Sequence, residues 1–291
     1  MIIRGVRFTQ RTIQWIVASS LITATAAAKS EIVYQQLENG ITVNAEYLDT
    51  GSQGPPILIL HGFLQTRDFF TVRRLGDALH EAGYRVLLPN LSLGINDRRQ
   101  SLACEAVHNH SIEHDTDEIA KWVEWLYNRT DESIILIGHS AGSLNLVAFL
   151  DTFRSTPVAK SLLISLIAFG QGPIAKENLA EKRRAEGDFA ENSDEIHRYR
   201  LAYCDHYSTT AGFYLSYLAW GQQRTLQAIS AIRPEPTIIF GGSDKRLGPE
   251  WKPLLRARNV NIIEIEGANH FFDHTHEFNL LDSIEQSLGK L

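Results

Sequence analysis

The sequence predicts an α/β protein built on a mostly parallel, doubly wound sheet. Short apolar strands rich in β-branched residues, such as Ile57–Leu60, 134–137 and Thr237–Gly241, alternate with amphipathic helical segments. Strands that are buried on both faces and separated by helices are typical of parallel sheets with helices on both sides. The 291 residues show no repeat and suffice for one large domain with an insertion, or for two small domains.

The N-terminal segment differs in character from the rest of the chain. Three arginines precede a short apolar run at 13–22, and the small-residue stretch 23–28 follows it. This order is typical of a secretory signal peptide, so we expect residues 1–28 to be cleaved after Ala26 or Ala28 and the protein to be exported, to the periplasm or outside the cell. The alternative is an uncleaved membrane anchor, but the apolar run is shorter than the roughly 20 residues of a spanning helix.

The charge balance argues against polyanionic partners. The formal net charge is −6, and cleavage of the signal segment would leave −9, because the segment carries three arginines and no acidic residue. A chain of this charge has no basic face for nucleic acid or for an anionic membrane surface. We expect a small-molecule substrate, no nucleic-acid partner, no stable membrane span after cleavage and no cofactor, with the oligomeric state left open.

The first third of the chain predicts a hairpin, then a strand, a helix and a second strand. Residues 31–37 and 41–48 alternate around Asn39-Gly40, which is a strong signal for a β-hairpin. After strand Ile57–Leu60, apolar residues at helical spacing predict a helix ending near Gly83, and strand 84–88 should stop at Pro89. A loop of about 20 residues then runs to Ile112, and loops of this length are usually functional.

The remainder of the chain continues the alternation, with one interruption. Residues 170 to about 231 are polar, helical in character and aromatic toward the end. The other segments predict alternating helices and strands by their apolar spacing: a helix at 111–127, a strand at 134–137, a helix at 143–150, a strand at 159–167, a strand at 237–241, a helix at 251–258, a strand at 261–266 and a helix at 277–288.

The motif Gly138-His139-Ser140-Ala141-Gly142 joins a buried strand to a helix. A strand, a G-x-S-x-G turn and a helix together describe a nucleophile elbow, in which the serine sits on a strained corner and the glycines allow strand and helix to approach closely. The motif alone is weak evidence, because Gly and Ser are common in turns. Its position after a strand makes Ser140 our candidate nucleophile.

A serine hydroxyl needs a positioned base, and the base needs an acid to orient it. Asp244 and His270 each follow a predicted strand, so both should lie at the same sheet edge as Ser140. The alternative for Asp244 is a turn-capping aspartate, but no acid follows the strand ending near 167. His274 and His276 compete with His270 but lie where the last helix begins. We predict Ser140, Asp244 and His270 as the catalytic residues.

An oxyanion hole needs two backbone N–H donors. The amide of Ala141, directly after the nucleophile, supplies the first. The second should come from the loop after Leu60, which begins His61-Gly62, most simply from Phe63 and alternatively from Leu64. Gly62 would let the backbone approach a ligand closely.

Taken together, these motifs resemble the α/β-hydrolase superfamily over residues 31–291. The resemblance implies an α/β-hydrolase fold, with 29–169 and 232–291 as its core and 170–231 as a helical cap insertion. It also implies hydrolysis of an ester, thioester or amide through an acyl-enzyme. One departure is Asn90, which stands where the family often has an aspartate after the strand; we interpret it as a loop variation outside catalysis.

The two cysteines lie in segments that the resemblance brings together. Cys104 lies in the long loop above the sheet and Cys204 in the cap, so in an oxidising compartment we expect a disulfide between them. Two separate free thiols are the alternative. Cys104 could instead join three histidines in a metal site, but a solvated histidine-rich loop is the simpler interpretation: His108, His110 and His114.

Two further alternatives concern the cap and the activity. Its aromatic residues could line an acyl pocket or form the core of the cap itself: Tyr199, Tyr203, Tyr207, Phe213, Tyr214, Tyr217 and Trp220. Some members of the superfamily are non-catalytic binding modules, which typically lack one of the three catalytic residues. All three positions are filled here, so the sequence favours a serine hydrolase of the carboxylesterase type.

Overall fold

The computed structural model describes residues 29–51, 54–170, 179–258 and 260–289. The predicted signal peptide lies outside the described residues. The strands are β1 (Lys29–Gln36), β2 (Thr42–Asp49), β3 (Ile57–Leu60), β4 (Val86–Asn90), β5 (Ile134–His139), β6 (Val158–Ile164), β7 (His197–Leu201), β8 (Cys204–Thr209), β9 (Thr237–Gly241) and β10 (Asn261–Ile265). The helices are α1 (Phe70–Glu81), α2 (Ile112–Thr130), α3 (Ala141–Thr152), α4 (Leu179–Ala190), α5 (Ala211–Leu218), α6 (Gln222–Ala231), α7 (Trp251–Arg256) and α8 (His276–Leu288).

Eight of these strands form one sheet in the order β1-β2-β4-β3-β5-β6-β9-β10. The β1–β2 and β2–β4 pairs are antiparallel, and every pair from β4 onward is parallel. The chain therefore proceeds from β3 to β4 in one direction and returns to place β5 on the other side of β3. That reversal is the topological switch point, where open α/β sheets bind ligands beyond the carboxyl ends of the strands.

The sheet separates two apolar layers. Alternate residues of the central strands pack on α1 and α8 on one face, and on α2, α3 and α6 on the other. Strands β3 and β5 are buried along their whole length, which explains why they appear in the sequence as continuous apolar runs. The predicted mostly parallel α/β fold is confirmed.

The cap is less helical than the sequence predicted. Between β6 and β9 the described residues form helix α4, the antiparallel hairpin β7–β8, and helices α5 and α6, of which α6 packs on core helix α3. The hairpin is a correction to the helical interpretation of this segment. Its β7 strand alternates exposed arginines with buried Tyr199 and Leu201, which is a period-2 signal.

Several predicted boundaries shift by a few residues. Strand β4 continues through Pro89 to Asn90, because β2 pairs with it there in an antiparallel register. Helix α2 begins after Ser111, whose hydroxyl accepts the His114 N–H at 3.3 Å and so caps the first turn. Among the described residues, no helix has both the length and the apolar character needed to cross a membrane.

Candidate active site

The loops after β3, β5, β9 and β10 meet at the carboxyl edge of the sheet. They carry Phe63, Ser140, Asp244 and His270, respectively. Strands β3 and β5 are neighbours at the switch point, so the first two loops lie side by side. Phe63, Ser140 and His270 line one cavity, and Asp244 hydrogen-bonds to His270.

Ser140 lies on a sharp turn between β5 and α3. Its φ of 57° places a non-glycine residue in a region that L-amino acids rarely adopt, which is the strained geometry of a nucleophile elbow. The glycines on either side of this turn leave no room for a side chain, because the backbone of neighbouring segments lies too close. A Cβ at Gly138 would lie 2.6 Å from the Ser143 amide nitrogen, and a Cβ at Gly142 would lie 2.4 Å from the His61 carbonyl oxygen.

A continuous chain of hydrogen bonds links the three predicted side chains. The His270 Nε2 atom lies 2.9 Å from the Ser140 hydroxyl, and its Nδ1 atom lies 2.7 Å from the Asp244 carboxylate. Because a carboxylate can only accept, the histidine proton belongs on Nδ1, and Nε2 is left to accept from the serine. His270 and Asp244 are buried, whereas Ser140 is half-buried and open to the cavity.

The environment of Asp244 favours its ionised form. Burial by itself opposes ionisation, but the hydrogen bond and charge of His270 together with the Arg246 N–H hold the pKa of Asp244 below its ordinary value of 3.8. That N–H lies 2.9 Å from the second carboxylate oxygen, in a local turn that aims the side chain at His270. The arrangement can hold an imidazole in one orientation and stabilise its protonated form.

Two side chains that sequence reasoning missed hold the His270 backbone. His139 Nε2 and the Ser165 hydroxyl both donate to the His270 carbonyl oxygen, each at 3.0 Å. Burial, followed by the proximity of His270, lowers the pKa of His139 to about 3, so this ring stays neutral. His139 stands inside the serine motif, whereas the contact of Ser165 spans 105 residues and leaves no local signal.

Two backbone amides are available beside the serine. Within the part of the chain that the structure describes, the Phe63 and Ala141 N–H groups make no hydrogen bond. The loop after β3 is itself braced, because Gln65 Oε1 accepts the Gly62 N–H at 3.1 Å and the Gln65 N–H reaches the Gly62 carbonyl. A Cβ at Gly62 would lie 2.7 Å from Gln65 Oε1, so a larger residue would displace this brace.

The cavity over Ser140 is small and mostly apolar. Its volume is about 50 Å³. Besides Ser140 and His270, its walls come from the loops after β3, β6 and β10, from the hairpin β7–β8 and from the segment that leads into α7: Phe63, Gln65, Ile167, Ala168, Ala202, Tyr203, Arg246, Leu247, Gly248, Trp251 and Phe271. Tyr203 is the one member of the cap's aromatic run that lines it; Tyr199, Tyr207, Tyr214, Tyr217 and Trp220 are buried in the cap and its contact with α2 and α3.

The long loop at 91–111 is fixed to the core by buried polar groups. The Glu118 carboxylate accepts the Ser92 N–H, and burial raises the pKa of Glu118 to about 7. The Arg98 guanidinium donates to the carbonyls of Leu91 and Gln100 and to the ring of His61. The loop thus has a defined course above the sheet, although it contains little regular structure.

The predicted disulfide between Cys104 and Cys204 is present and joins this loop to the first residue of β8. The same two segments also pair through their backbones, with the His108 N–H donating to the Ser208 carbonyl at 2.8 Å. The His108 ring stacks on Tyr207 with 4.1 Å between centroids. Loop and hairpin therefore form one unit across the top of the site.

Three of the four residues of the alternative metal hypothesis have covalent or hydrogen-bonding partners of another kind. Cys104 is in the disulfide, His108 Nε2 contacts the Cys104 carbonyl, and His110 lies between the hydroxyls of Tyr207 and Tyr217. The described residues contain no group of three or more His, Cys, Asp or Glu side chains placed to hold a metal ion.

Residues 57–279 match the model of the alpha/beta hydrolase family. The chain belongs to this family. No curated protein sequence matches the chain.

The fold is shared with solved hydrolases of low sequence identity. An alpha/beta hydrolase, GrgF from Penicillium sp. sh18, is 13% identical with a TM-score of 0.70, covering 90% of this chain and 98% of that one. Est1E from Butyrivibrio proteoclasticus is 17% identical with a TM-score of 0.64, covering 89% and 98%. A thermophilic esterase from Thermogutta terrifontis is 20% identical with a TM-score of 0.60, covering 90% and 99%.

Proposed function

We propose that this protein is a serine hydrolase of the carboxylesterase type, which cleaves an ester through an acyl-enzyme on Ser140. The observation that carries the proposal is the hydrogen-bonded chain from Ser140 through His270 to Asp244. A nucleophile bonded to a base that is oriented by a buried acid is the arrangement that acyl transfer requires. Thioesters and amides react by the same steps and are included in the test below.

Each group of the site has a role in this reaction. Ser140 Oγ attacks the substrate carbonyl while His270 Nε2 takes the hydroxyl proton, and Asp244 stabilises the imidazolium that forms. The negative charge that develops on the carbonyl oxygen is bound by the Phe63 and Ala141 amides. His270 then gives its proton to the leaving alcohol, and a water molecule activated by the same histidine hydrolyses the acyl-enzyme.

The size of the cavity favours a short acyl group. A bound water needs about 10–15 Å³ of cavity volume, so the cavity of about 50 Å³ accepts a group of a few heavy atoms. Leu247 and Trp251 close its apolar side, and both are buried. We therefore propose acetyl to butyryl esters as the preferred substrate class.

Export is the second part of the proposal. The N-terminal pattern of three arginines, an apolar run and small residues predicts secretion, and a disulfide that joins distant segments suits an oxidising compartment. N-terminal sequencing of protein recovered from the periplasm or medium of a producing bacterium tests this. Export predicts a chain that begins at Ala27 or Lys29; an intact N-terminus in the cytoplasmic or membrane fraction would argue against it.

The activity is tested with p-nitrophenyl esters from acetate to decanoate, with thioester and anilide analogues, and with a fluorophosphonate that labels activated serines. We expect hydrolysis that is fastest for the shortest esters and labelling of Ser140. Ser140→Ala should abolish both, whereas Ser283→Ala, in helix α8 away from the site, should change neither. A wild-type protein that is inert to every substrate and remains unlabelled would contradict the proposal.

A further inference from the structure

The turn between β7 and β8 brings the cap into contact with the loop that carries the proposed oxyanion donor. This turn consists of Ala202 and Tyr203, which we call the hairpin tip. Both residues line the cavity over Ser140. Cys204 follows directly and forms the disulfide with Cys104. The tip is therefore placed between the active-site cavity and a covalent anchor.

Tyr203 touches Phe63 in two ways. Its hydroxyl donates to the Phe63 carbonyl oxygen at 3.1 Å, and the two rings meet edge to face with centroids 5.8 Å apart. The Phe63 ring is further enclosed by Tyr207 and Tyr217, from β8 and α5. The cap thus packs around the Phe63 ring. Among the described residues of the cap, Tyr203 is the one that hydrogen-bonds to the Phe63 backbone.

These contacts restrict the direction of the Phe63 N–H. A residue has only two soft backbone dihedrals, because the peptide groups on each side are planar. With the ring packed and the carbonyl oxygen bonded, rotation about both dihedrals is limited, and so is the range of directions open to the amide. An oxyanion donor is effective only when it is oriented before the charge develops.

The disulfide places Tyr203 relative to the same loop. Cys104 belongs to the segment whose Leu102 N–H donates to the Leu64 carbonyl oxygen at 3.0 Å. The loop after β3 is therefore bonded on one side to the segment of Cys104 and on the other to the residue before Cys204. Opening the disulfide would remove the covalent tie beside the tip without removing any group from Ser140, His270 or Asp244.

We propose that Tyr203 is a positioning residue for the oxyanion hole, and that the Cys104–Cys204 disulfide holds Tyr203 in that position. This inference rests on the proposed hydrolase function. It assigns the hairpin tip a role in kcat, in addition to its role as a wall of the cavity.

Tyr203→Phe tests the hydrogen bond alone, because it removes the hydroxyl and keeps the ring. The loss of one neutral hydrogen bond corresponds to about a 3- to 10-fold lower kcat and rate of fluorophosphonate labelling. KM for a short ester should stay unchanged, and the melting temperature should fall only slightly, because one neutral hydrogen bond is lost. A trifluoromethyl ketone, which forms a tetrahedral adduct with the serine, should bind more weakly by the same factor.

Tyr199→Phe, in strand β7 of the same hairpin, is the matched control and should leave all five quantities unchanged. Equal kcat, labelling rate and inhibitor affinity for Tyr203→Phe and wild type would overturn the proposal. A rise in KM with unchanged kcat would also overturn it, because Tyr203 would then act only as a wall of the cavity.

The disulfide is tested by combination with Tyr203→Phe. With dithiothreitol, two electrons and two protons open the disulfide to two thiols, while the reductant closes to its own cyclic disulfide. We expect the labelling rate to fall at least as far as in Tyr203→Phe, and to recover on reoxidation. In a Cys104→Ala/Cys204→Ala background, Tyr203→Phe should have little further effect, since the tip is already released.

A full additional effect of Tyr203→Phe in that background would show that the disulfide does not hold the tip. If the cysteine-free protein does not fold, the role of the disulfide is decided by comparing dithiothreitol-treated wild type with Tyr203→Phe. The labelling readout also separates this inference from the proposed function. Wild type that labels at Ser140 at the same rate as Tyr203→Phe refutes the positioning role alone, whereas wild type that does not label refutes the hydrolase.

Discussion

The loops that carry Ser140, Asp244 and His270 and the hairpin that covers them are held in place in different ways. Each loop follows directly after a strand of the parallel sheet, so the pairing of the strands fixes its starting point. The hairpin pairs with no strand of that sheet; it is held by buried aromatic residues, polar contacts to loop 91–111 and a disulfide. The site therefore depends on short motifs, whereas the cover depends on contacts between distant parts of the chain.

The largest effect should come from Asp244→Asn, which alters the site and leaves the cap untouched. An asparagine keeps the shape of the side chain but can no longer hold the proton of His270 on Nδ1. We expect kcat for a short ester to fall by about 10³–10⁴-fold, with the hairpin and disulfide intact by circular dichroism and thiol assay. Asp282→Asn, exposed on helix α8, should match wild type. A loss of less than tenfold would remove Asp244 from the proposed mechanism.

Asp244 should also contribute to the pH dependence of stability. Its pKa in the folded protein lies below the ordinary value of 3.8, so the ionised carboxylate stabilises the fold above that pH. This contribution is lost as the pH falls from 3.8 through the folded-state pKa. The free energy of unfolding should therefore decline less steeply below pH 4 in Asp244→Asn than in wild type.

A glycine-to-alanine pair contrasts the two regions directly. In Gly142→Ala the new Cβ would lie 2.4 Å from the His61 carbonyl oxygen and 2.8 Å from that of Leu60. Because these are backbone atoms of the neighbouring strand end, we expect a loss of about 3 kcal/mol in the free energy of unfolding. In Gly187→Ala, within cap helix α4, nothing lies within 4 Å of the new Cβ, and we expect a gain of about 0.5–1 kcal/mol.

Urea unfolding of the two variants, with wild type as reference, measures this difference. Ester hydrolysis by Gly142→Ala should fall with its stability, whereas Gly187→Ala should hydrolyse esters at the wild-type rate. Similar changes in both variants would show that the elbow is no more tightly packed than the cap.

The same contrast explains what could be predicted from the sequence. The parallel sheet follows from alternating strands and helices, and the positions of Ser140, Asp244 and His270 at one edge follow from the shared direction of the strands that precede them. These inferences need only local periodicity and a motif directly after a strand. The pairing of Cys104 with Cys204 needed one further step, because the family resemblance first had to place the cap over the long loop.

The parts that escaped prediction depend on distant contacts or weak local signals. The turn Ala202-Tyr203 lacks the Asn-Gly or Gly residues that mark a two-residue hairpin, so the short alternation in β7 is the only local signal of a strand there. The donation from Ser165 to the His270 carbonyl links residues 105 positions apart. No pattern in a single sequence distinguishes Ser165 from any other buried serine.

Tyr217→Phe tests the cap's means of attachment. The Tyr217 hydroxyl donates to the Asp115 carboxylate at 2.7 Å and lies 2.6 Å from His110 Nδ1. All three groups are buried, so removing the hydroxyl leaves the carboxylate with fewer donors, at a cost of about 1.5–3 kcal/mol. The ring that packs on Phe63 remains, so kcat should change little. A large fall in kcat without loss of stability would mean that this network acts on the reaction itself.

Ser165→Ala should produce the opposite pattern on a smaller scale. The Ser165 hydroxyl is one of two donors to the His270 carbonyl, and His139 remains in the variant to satisfy that oxygen. We therefore expect only a small loss of stability. The looser loop should place the imidazole less accurately between Ser140 and Asp244, and kcat should fall by about 3- to 10-fold.

Ser161→Ala is the matched control, because Ser161 is buried in the preceding strand β6 and its hydroxyl has no hydrogen-bond partner among the described residues. Steady-state kinetics and thermal unfolding of both variants decide the matter. If both variants lower kcat equally, the effect comes from altered packing around β6 and not from the lost hydrogen bond. If Ser165→Ala alone lowers kcat, the hydrogen bond from Ser165 to the His270 carbonyl helps to orient the base. The core would then orient His270 independently of the cap.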